Sequence, residues 1–372
     1  MKKRALAIVM AGLMAVSMSS VCAYAKDEEK EAKTEGFYIG LSNGYWGNTW
    51  RAQMVEDFEN KAEEYKEEGI ISDYMISNSN SDATEQLNQI NAMIDSGVDA
   101  ILIDAVSPTT IKSAVEKAKA KGILVVIAND PAAYEDTICV CGDNYTWQKI
   151  QAMWLMEQIE GKGDIVKITG VSGNAADTIR EQANDDILAE YPDVLTSAPG
   201  NWSQTDAQSV MTTFLSSYDS IDAILEQDVM AEGVIKAYEN AGKDIPVMTG
   251  DYTKSFFAKW AEMEDLNTIG VPYAPGNATV ALEVAVRLLQ GKEIDEANLV
   301  ANPMDENLIN TVMVAPPYVV TKEAQPDATW MEGLENTEAI SLDEAMELLK
   351  DSADTAALDG YMSDEAVDKL FK

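Results

Sequence analysis

Histidine is absent from the 372 residues of the chain, which excludes Ser-His-Asp and Cys-His nucleophilic sites together with most zinc sites. The sequence also lacks a G-x-x-x-x-G-K-[ST] phosphate loop, a dinucleotide G-x-G-x-x-G loop after a strand, and a calcium-binding loop. Catalysis by carboxylates alone, as in a glycosidase, stays open, but no residue pattern favours it. The sequence therefore predicts a protein that is not an enzyme and that uses no cofactor or metal.

Cysteine and basic residues are scarce. Of the three cysteines, Cys139 and Cys141 are separated by one residue, so they would lie on the same face of a strand, a poor geometry for a disulfide. We expect both to be buried free thiols. The 27 lysines and arginines stand against 64 acidic residues, a formal net charge of −37. Such a surface repels phosphate backbones and anionic lipids, so nucleic acid and membrane surfaces are not expected partners.

No apolar run is long enough to span a bilayer. The longest follows three basic residues at positions 2–4 and covers residues 5–16, with small residues at the cleavage positions of Ala23-Tyr24-Ala25. This pattern is typical of an export signal. We therefore predict a signal peptide over residues 1–25 and an exported protein in the periplasm or at the cell surface.

Cys22 offers an alternative fate for the leader. Bacterial lipoproteins carry their lipid on a cysteine that follows a small residue, whereas Val21 precedes this one. Ordinary cleavage before Lys26 is favoured, and lipidation at Cys22 would instead tether the protein to a membrane. Residues 26–35 are rich in charge and nearly free of apolar side chains, so they are predicted as a disordered leader that suits either outcome.

Short apolar strands alternate with amphipathic helices from residue 37 onward, the pattern of βαβ units and parallel sheets. The segment around V-D-A-I-L at 98–102 is echoed by I-D-A-I-L at 221–225, and each is followed by a helix, a glycine and another strand. Such an internal repeat predicts two similar α/β lobes, each with a Rossmann-like parallel sheet flanked by helices.

A helix at 277–290 and a strand near 311–314 complete the pattern of the first lobe. The chain is therefore expected to cross between the lobes several times, which makes a hinge with a ligand cleft between the lobes. The predicted ranges are 36–141 plus about 272–314 for the N-terminal lobe, 142–271 plus about 315–322 for the C-terminal lobe, and 323–372 for an acidic C-terminal extension. Two weak helices in that extension, 342–350 and 364–371, are expected to pack on the outside of a lobe.

The loop after the first strand carries aromatic rings, amides and one guanidinium within residues 43–51. Parallel sheets bind ligands beyond the carboxyl ends of their strands, where this loop would lie. Aromatic faces pack on the C–H faces of a sugar ring, and amides and charges bond its hydroxyls. The alternative is that Trp46 and Trp50 only pack at a helix start.

Eight short motifs occur in one order along the chain: N-T-W-R, G-V-D-A-I-L, G-I-L-V-V-I-A-N-D, G-D-N, G-K-G, Q-D-V-M-A, V-M-T-G-D and V-V-T-K. In this the chain resembles the type I periplasmic sugar-binding proteins of ABC transporters, the group that includes the ribose-binding proteins. The resemblance covers about residues 36–322. It implies a set of ligand-binding positions that fall on Asn48, Trp50, Arg51, Asn129, Asp130, Arg180, Trp202, Gln227, Asp251 and Tyr273.

Three of these positions depart from the family pattern. Arg51 stands where the family has a second aromatic ring, Asp130 stands where it has an arginine, and Tyr273 replaces a glutamine near the hinge. The departures leave the identity of the sugar open. Trp50 and Trp202, from opposite lobes, are expected to sandwich a sugar ring when the lobes close.

Arg180 and Asp251 are expected to hold hydroxyl groups by charge-assisted hydrogen bonds. Replacing either by alanine is expected to abolish most binding without unfolding the protein. The alternative is that Arg180 pairs with Glu181 or Asp177 on its own helix and that Trp202 only packs a loop.

The resemblance implies an extracytoplasmic solute-binding protein that closes on a monosaccharide or related polyol and delivers it to the membrane permease of an ABC importer. It is expected to be a monomer. A sugar sensor that reports to a membrane receptor without transport is the main alternative. The effector domain of a transcription repressor is disfavoured by the export signal and by the absence of a basic helix-turn-helix at the N-terminus.

Overall fold

Two parallel β-sheets organise the part of the chain that this computed structural model describes, residues 33–189, 191 and 194–372. The predicted signal peptide, Cys22 and residues 26–32 of the predicted leader lie outside the described residues. None of the helices in the described part is both long and apolar enough to cross a membrane.

The strands are β1 (Phe37–Asn43), β2 (Ile71–Asn78), β3 (Ala100–Asp104), β4 (Leu124–Ala128), β5 (Ile138–Gly142), β6 (Ile165–Thr169), β7 (Val194–Pro199), β8 (Ala223–Glu226), β9 (Val247–Thr249), β10 (Thr268–Ile269), β11 (Val300–Asn302), β12 (Asp305–Val314), β13 (Tyr318–Thr321) and β14 (Glu338–Ser341). The α-helices are α1 (Thr49–Glu67), α2 (Ala83–Ser96), α3 (Lys112–Ala120), α4 (Asn144–Gln158), α5 (Ala175–Leu188), α6 (Gln204–Ser217), α7 (Ala231–Ala241), α8 (Lys254–Glu262), α9 (Asn277–Leu289), α10 (Leu342–Leu348) and α11 (Asp364–Asp368).

The first sheet has seven strands in the order β11-β12-β5-β4-β3-β1-β2. Its neighbours pair in parallel except β11 and β12, which form an antiparallel hairpin. Every residue of β3 is buried, as expected for a parallel strand with helices on both faces of its sheet. Helices α1, α2, α3 and α9 pack on this sheet and complete the N-terminal lobe.

The second sheet has five parallel strands in the order β10-β9-β8-β6-β7, with α4 and α6 packed against it. Helices α5, α7 and α8 complete the C-terminal lobe. The predicted fold class, two α/β lobes built on parallel sheets, is confirmed. Cys139 and Cys141 lie in β5 of the first sheet, where both are buried and free, as predicted.

Two predicted elements have different limits, and pairing explains each. The strand predicted near 311–314 is the end of β12, which begins at Asp305 in the hairpin with β11. The helix predicted over 364–371 ends at Asp368, because Phe371 leaves it and forms an antiparallel bridge with Ile294.

The chain passes between the two sheets at residues 142–144, 270–276 and 315–317, and these segments lie side by side. The amide of Asp143 donates to the carbonyl of Val314 at 2.8 Å, and Gly270 forms an antiparallel bridge with Val320. Tyr273 packs so closely on Gly142 that a Cβ there would lie 2.3 Å from its ring, so only glycine fits. The result is a compact hinge next to the carboxyl ends of both sheets.

The C-terminal extension packs on both lobes, whereas the sequence suggested packing on the outside of one lobe. Its strand β14 pairs with β13 and its helix α10 packs on α8 in the C-terminal lobe. Its last helix, α11, instead packs on α9 of the N-terminal lobe. The sequence did not indicate contact with both lobes, because the docking contacts join residues far apart in sequence, which local periodicity does not reveal.

Candidate functional site

A cavity with about 390 Å³ of empty space, partly open to solvent, lies between the lobes at the carboxyl ends of both sheets. Both lobes and the hinge contribute its lining residues: Tyr45, Asn48, Trp50, Arg51, Asn129, Asp130, Ala176, Arg180, Trp202, Asp228, Val229 and Tyr273.

The first turn of α1 forms one wall of the cavity. Asn48 caps this helix by accepting a hydrogen bond from the amide of Arg51 at 2.9 Å, which fixes where the chain turns into the helix. The indole of Trp50 donates to the carbonyl of Tyr273 at 2.6 Å, and the two rings lie 5.7 Å apart. The N-terminal wall is therefore tied directly to the hinge.

Arg51 is buried between two acids of its own lobe. Its guanidinium is hydrogen-bonded to Asp104 and lies 3.5 Å from Asp130. The rings of Trp50 and Tyr45 lie 5.2 and 6.0 Å from it. Burial opposes its charge, but the two carboxylates outweigh burial and raise the pKa of Arg51. Burial also raises the pKa of Asp104, with Asp130 adding to the rise and Arg51 opposing it.

Asn129 and Asp130 follow β4 directly. Asn129 has a positive φ of 62°, which turns the chain so that its side-chain amide donates to Asp104 at 3.3 Å and to Asp130 at 3.2 Å. From the other lobe, the side-chain amide of Asn174 donates to Asp130 at 3.0 Å. Asp130 thus faces the cavity and also takes part in a direct hydrogen bond between the lobes.

Arg180, on α5, forms the opposite wall and is 2% exposed. Its Nε donates to Asn144 at 2.8 Å, and its guanidinium is hydrogen-bonded to Asp228. The ring of Trp147 lies 4.1 Å from it and that of Tyr273 lies 4.8 Å from it. Burial opposes the charge of Arg180, but Asp228 outweighs it, so the pKa of the guanidinium is raised.

Asp228 is held from a second direction by Tyr252, whose hydroxyl donates to it at 2.6 Å. Burial, and then the charge of Asp228, raise the pKa of Tyr252 well above its ordinary value. The hydroxyl therefore stays protonated and remains a donor. Arg180 and Tyr252 together fix the carboxylate of Asp228 at the edge of the cavity.

Eight of the ten predicted binding residues line the cavity, and Gln227 and Asp251 do not. Gln227 is 1% exposed and accepts a hydrogen bond from the indole of Trp202 at 3.2 Å, so it positions that ring. Asp251 is fully buried and accepts the amide of Tyr252 at 2.7 Å. Arg180 pairs with Asp228 and not with Glu181 or Asp177, the alternative partners on its own helix.

Residues 39–293 match the family described as periplasmic binding protein domain. The chain belongs to this family. It is similar to the ribose import binding protein RbsB of Bacillus subtilis, with 27% identity over 277 residues, 73% of this chain and 88% of that protein. It is also 31% identical to a xylitol-binding protein of Mycolicibacterium smegmatis over 175 residues, which cover 45% of this chain and 50% of that protein. Its fold is similar to that of an ABC transporter solute binding protein from Thermobispora bispora, with a TM-score of 0.69, 26% identity, and coverage of 84% of this chain and 95% of that one.

In this periplasmic binding protein, sequence reasoning did not select Tyr45, Ala176, Asp228 and Val229 as part of the cavity. Tyr45 lies in the polar loop after the first strand, so its position was a signal. Asp228 directly follows Gln227, and its positive φ of 57° is what brings its side chain to the cavity. Aspartate is among the residue types that adopt this conformation most readily, but its presence alone does not reveal the turn.

Within the described residues, no group of three or more histidine, cysteine, aspartate or glutamate side chains is arranged to hold a metal ion. The lining instead combines two guanidinium groups, two carboxylates, two amide side chains and four aromatic rings. Such a lining offers hydrogen-bond donors, acceptors and flat apolar faces at once. These are the groups that a polyhydroxylated molecule requires.

Proposed function

We propose that this periplasmic binding protein is the extracytoplasmic solute receptor of an ABC importer and that it binds a monosaccharide or related polyol between its lobes. The observation that carries the proposal is the cavity, in which polar and aromatic side chains converge from both lobes and the hinge. The similar proteins named for ribose import and xylitol binding support the same class of solute.

The charges of the lining favour a neutral solute. Each arginine of the lining has an acidic lining partner, since Arg51 lies against Asp130 and Arg180 against Asp228. A neutral sugar or polyol can accept from the guanidinium groups and donate to the carboxylates without leaving a charge uncompensated. A sugar acid would add a negative charge that no free cation of the lining balances, so we expect it to bind much more weakly.

Transport follows from closure of the lobes. A solute that contacts both walls stabilises the closed arrangement through interactions that an open arrangement lacks. The hydrogen bond from Asn174 to Asp130 joins the lobes next to the cavity, so it belongs to the closed arrangement. The closed protein then offers both lobe surfaces in one fixed orientation to a permease, and no bond of the solute is made or broken.

Export is part of the proposal. The predicted signal peptide would deliver the protein across the membrane, and cleavage before Lys26 would release it, whereas lipidation at Cys22 would tether it. Mass spectrometry of the N-terminus of the exported protein distinguishes these two products directly.

The solute itself can be recovered from the protein. Heat denaturation of protein purified from a rich medium should release a small neutral polyol or sugar, which mass spectrometry and NMR identify. The same compound should rebind at one site per chain and come back unchanged after long incubation. A released anionic compound would contradict the argument from charge, and conversion to a new product would show an enzyme.

A further inference from the structure

The C-terminal extension docks on the start of α8 in the C-terminal lobe. The amides of Lys254 and Ser255 donate to the carbonyls of Ala356 and Asp354, each at 2.9 Å. These are first-turn amides, which a helix leaves without partners of its own. The amide of Leu358 in turn donates to the carbonyl of Tyr252 at 2.8 Å. The extension therefore takes part in backbone pairing at the end of the C-terminal lobe nearest the cavity.

The same segment contacts α1 of the N-terminal lobe along one face of that helix. Gln53, Asp57 and Lys61 are four residues apart, so their side chains follow one stripe. The side chain of Gln53 accepts from the amide of Ala357 at 2.8 Å and donates to its carbonyl at 3.3 Å. Two turns later, Lys61 lies 2.9 Å from Asp364.

Gly276, at the start of α9, is the second docking point on the N-terminal side. Its amide donates to the carboxylate of Asp359 at 3.1 Å, and the ring of Tyr361 lies directly on it. A Cβ at this position would be 1.9 Å from that ring, so the docked arrangement requires glycine.

The end of the chain is fixed to the same lobe. Arg287 of α9 donates to Asp368 at 2.7 Å, and the amide of Asp295 donates to the carbonyl of Leu370 at 2.8 Å. The amide of Lys372 donates to the carbonyl of Glu293 at 3.0 Å. From Asp359 onward, the extension thus belongs to the N-terminal lobe.

We propose that residues 354–372, the strap, are a fourth connection between the lobes that limits how far they separate when no solute is bound. The strap contacts the hinge, since Asp359 accepts a hydrogen bond from the amide of Gly276, and it also ties α1 to α8 through Ala357 and Leu358. Opening must move α1 relative to α8, so it must break either the contacts of Gln53 with Ala357 or those of Leu358 with Tyr252.

The strap also touches the elements that carry the cavity walls. Gln53 lies one turn after Trp50 on α1, and the hydroxyl of Tyr252 holds Asp228. Docking of the strap therefore favours the arrangement in which both walls face each other. This inference does not depend on which solute binds, because it concerns the protein without solute.

The test compares Gln53→Ala with wild type in solute-free chains of residues 26–372, with Gln89→Ala as the matched control. Gln89 lies on α2 of the same lobe, and its side-chain amide donates to the carbonyl of Asn78 and to Glu85 of that lobe. Small-angle X-ray scattering measures the radius of gyration, and hydrogen exchange measures the amides of Ala357 and Leu358.

We expect Gln53→Ala to raise exchange at those two amides by about tenfold, the scale set by losing one to two neutral hydrogen bonds. The radius of gyration of the solute-free chain should increase, and Gln89→Ala should change neither quantity. Asp359→Ala, which frees Gly276 without touching Gln53, should act in the same direction. An unchanged radius of gyration in both strap variants would overturn the proposal, whether or not exchange rises. An equal increase of the radius of gyration in the control Gln89→Ala would also overturn it.

Discussion

Replacing Asp57 by asparagine should make the protein more stable at pH 8 and have little effect on stability at pH 4. Asp57, on α1, faces Asp359 of the strap, and among the described residues its buried Oδ2 has no hydrogen-bond donor. We infer that the two carboxyls share a proton. Burial, and then the charge of Asp359, raise the pKa of Asp57 from its ordinary 3.8 to about 7. An amide at this position can donate to Asp359 at any pH.

The sign follows from linkage. The native protein holds this proton more tightly than the unfolded chain, so its contribution to the free energy of unfolding falls as pH rises from 3.8 to about 7 and is constant above. A rise of about three units corresponds to about 4 kcal/mol at 1.36 kcal/mol per unit. Because Asp57 is only partly buried and is screened by solvent, we halve this to about 2 kcal/mol. For a chain of this length that is about 3 °C in the unfolding midpoint.

The assay is thermal unfolding by circular dichroism at pH 4 and pH 8, on wild type, Asp57→Asn and the control Glu56→Gln. Glu56 carries the same charge one residue away, on the exposed side of α1. The midpoint difference between Asp57→Asn and wild type should grow by about 3 °C from pH 4 to pH 8. The control should show much less growth, because the charge of Glu56 contributes less to the raised pKa of Asp57 than burial and Asp359 do. Equal pH dependence of Asp57→Asn and wild type would refute the shared proton between α1 and the strap.

Three further predictions concern the cavity. Arg180→Ala should weaken solute binding by about 10- to 150-fold in calorimetry, because it removes a charged donor worth about 1.5–3 kcal/mol and releases Asp228. Affinity within threefold of wild type would place the solute elsewhere. Asp251→Ala should lower the free energy of unfolding by about 1–3 kcal/mol, since it leaves the buried amide of Tyr252 unpaired. It should weaken solute binding much less than Arg180→Ala does. A larger loss of affinity in Asp251→Ala than in Arg180→Ala would return Asp251 to the site. Tyr252→Phe should weaken binding about tenfold, because Asp228 loses one hydrogen bond. If the double variant Tyr252→Phe with Asp228→Asn recovered the affinity of wild type, this role of Tyr252 would be contradicted.

The fold was predictable because its signals are local or repeated. Apolar strands alternating with amphipathic helices specify parallel sheets, and the echo between residues 98–102 and 221–225 indicates two lobes. The rule that parallel strands place their carboxyl ends at one edge then brings together residues as distant as Trp50 and Arg180.

Which of two neighbouring residues faces the cavity was not predictable. Gln227 and Asp228 are both polar and both follow β8, and the backbone turn at Asp228 decides that the second reaches the lining. Asp251 similarly follows β9, but its carboxylate is used to bond the amide of Tyr252. Such choices depend on backbone angles and on contacts from other elements, neither of which residue type determines.

The strap was beyond sequence reasoning for a different reason. Gln53 and Ala357 are 304 residues apart, and their bonds involve one side chain and one backbone unit. Almost every residue type carries the same backbone donor and acceptor, so the sequence does not reveal which backbone unit forms a given bond. The acidic composition of the extension showed only that it would be well solvated, so its path across both lobes had no local signal.

The most direct test of the central claim is a thermal-shift screen of residues 26–372 against neutral pentoses, hexoses and polyols, each paired with its acid, followed by calorimetry of any hit. A solute that binds the native state alone raises the unfolding midpoint by mass action. Our account predicts a strong shift with one or a few neutral compounds, one site per chain, and a much weaker response to the matched acids. Stronger binding of an acid than of its neutral partner, or no midpoint shift with any neutral compound, would contradict it.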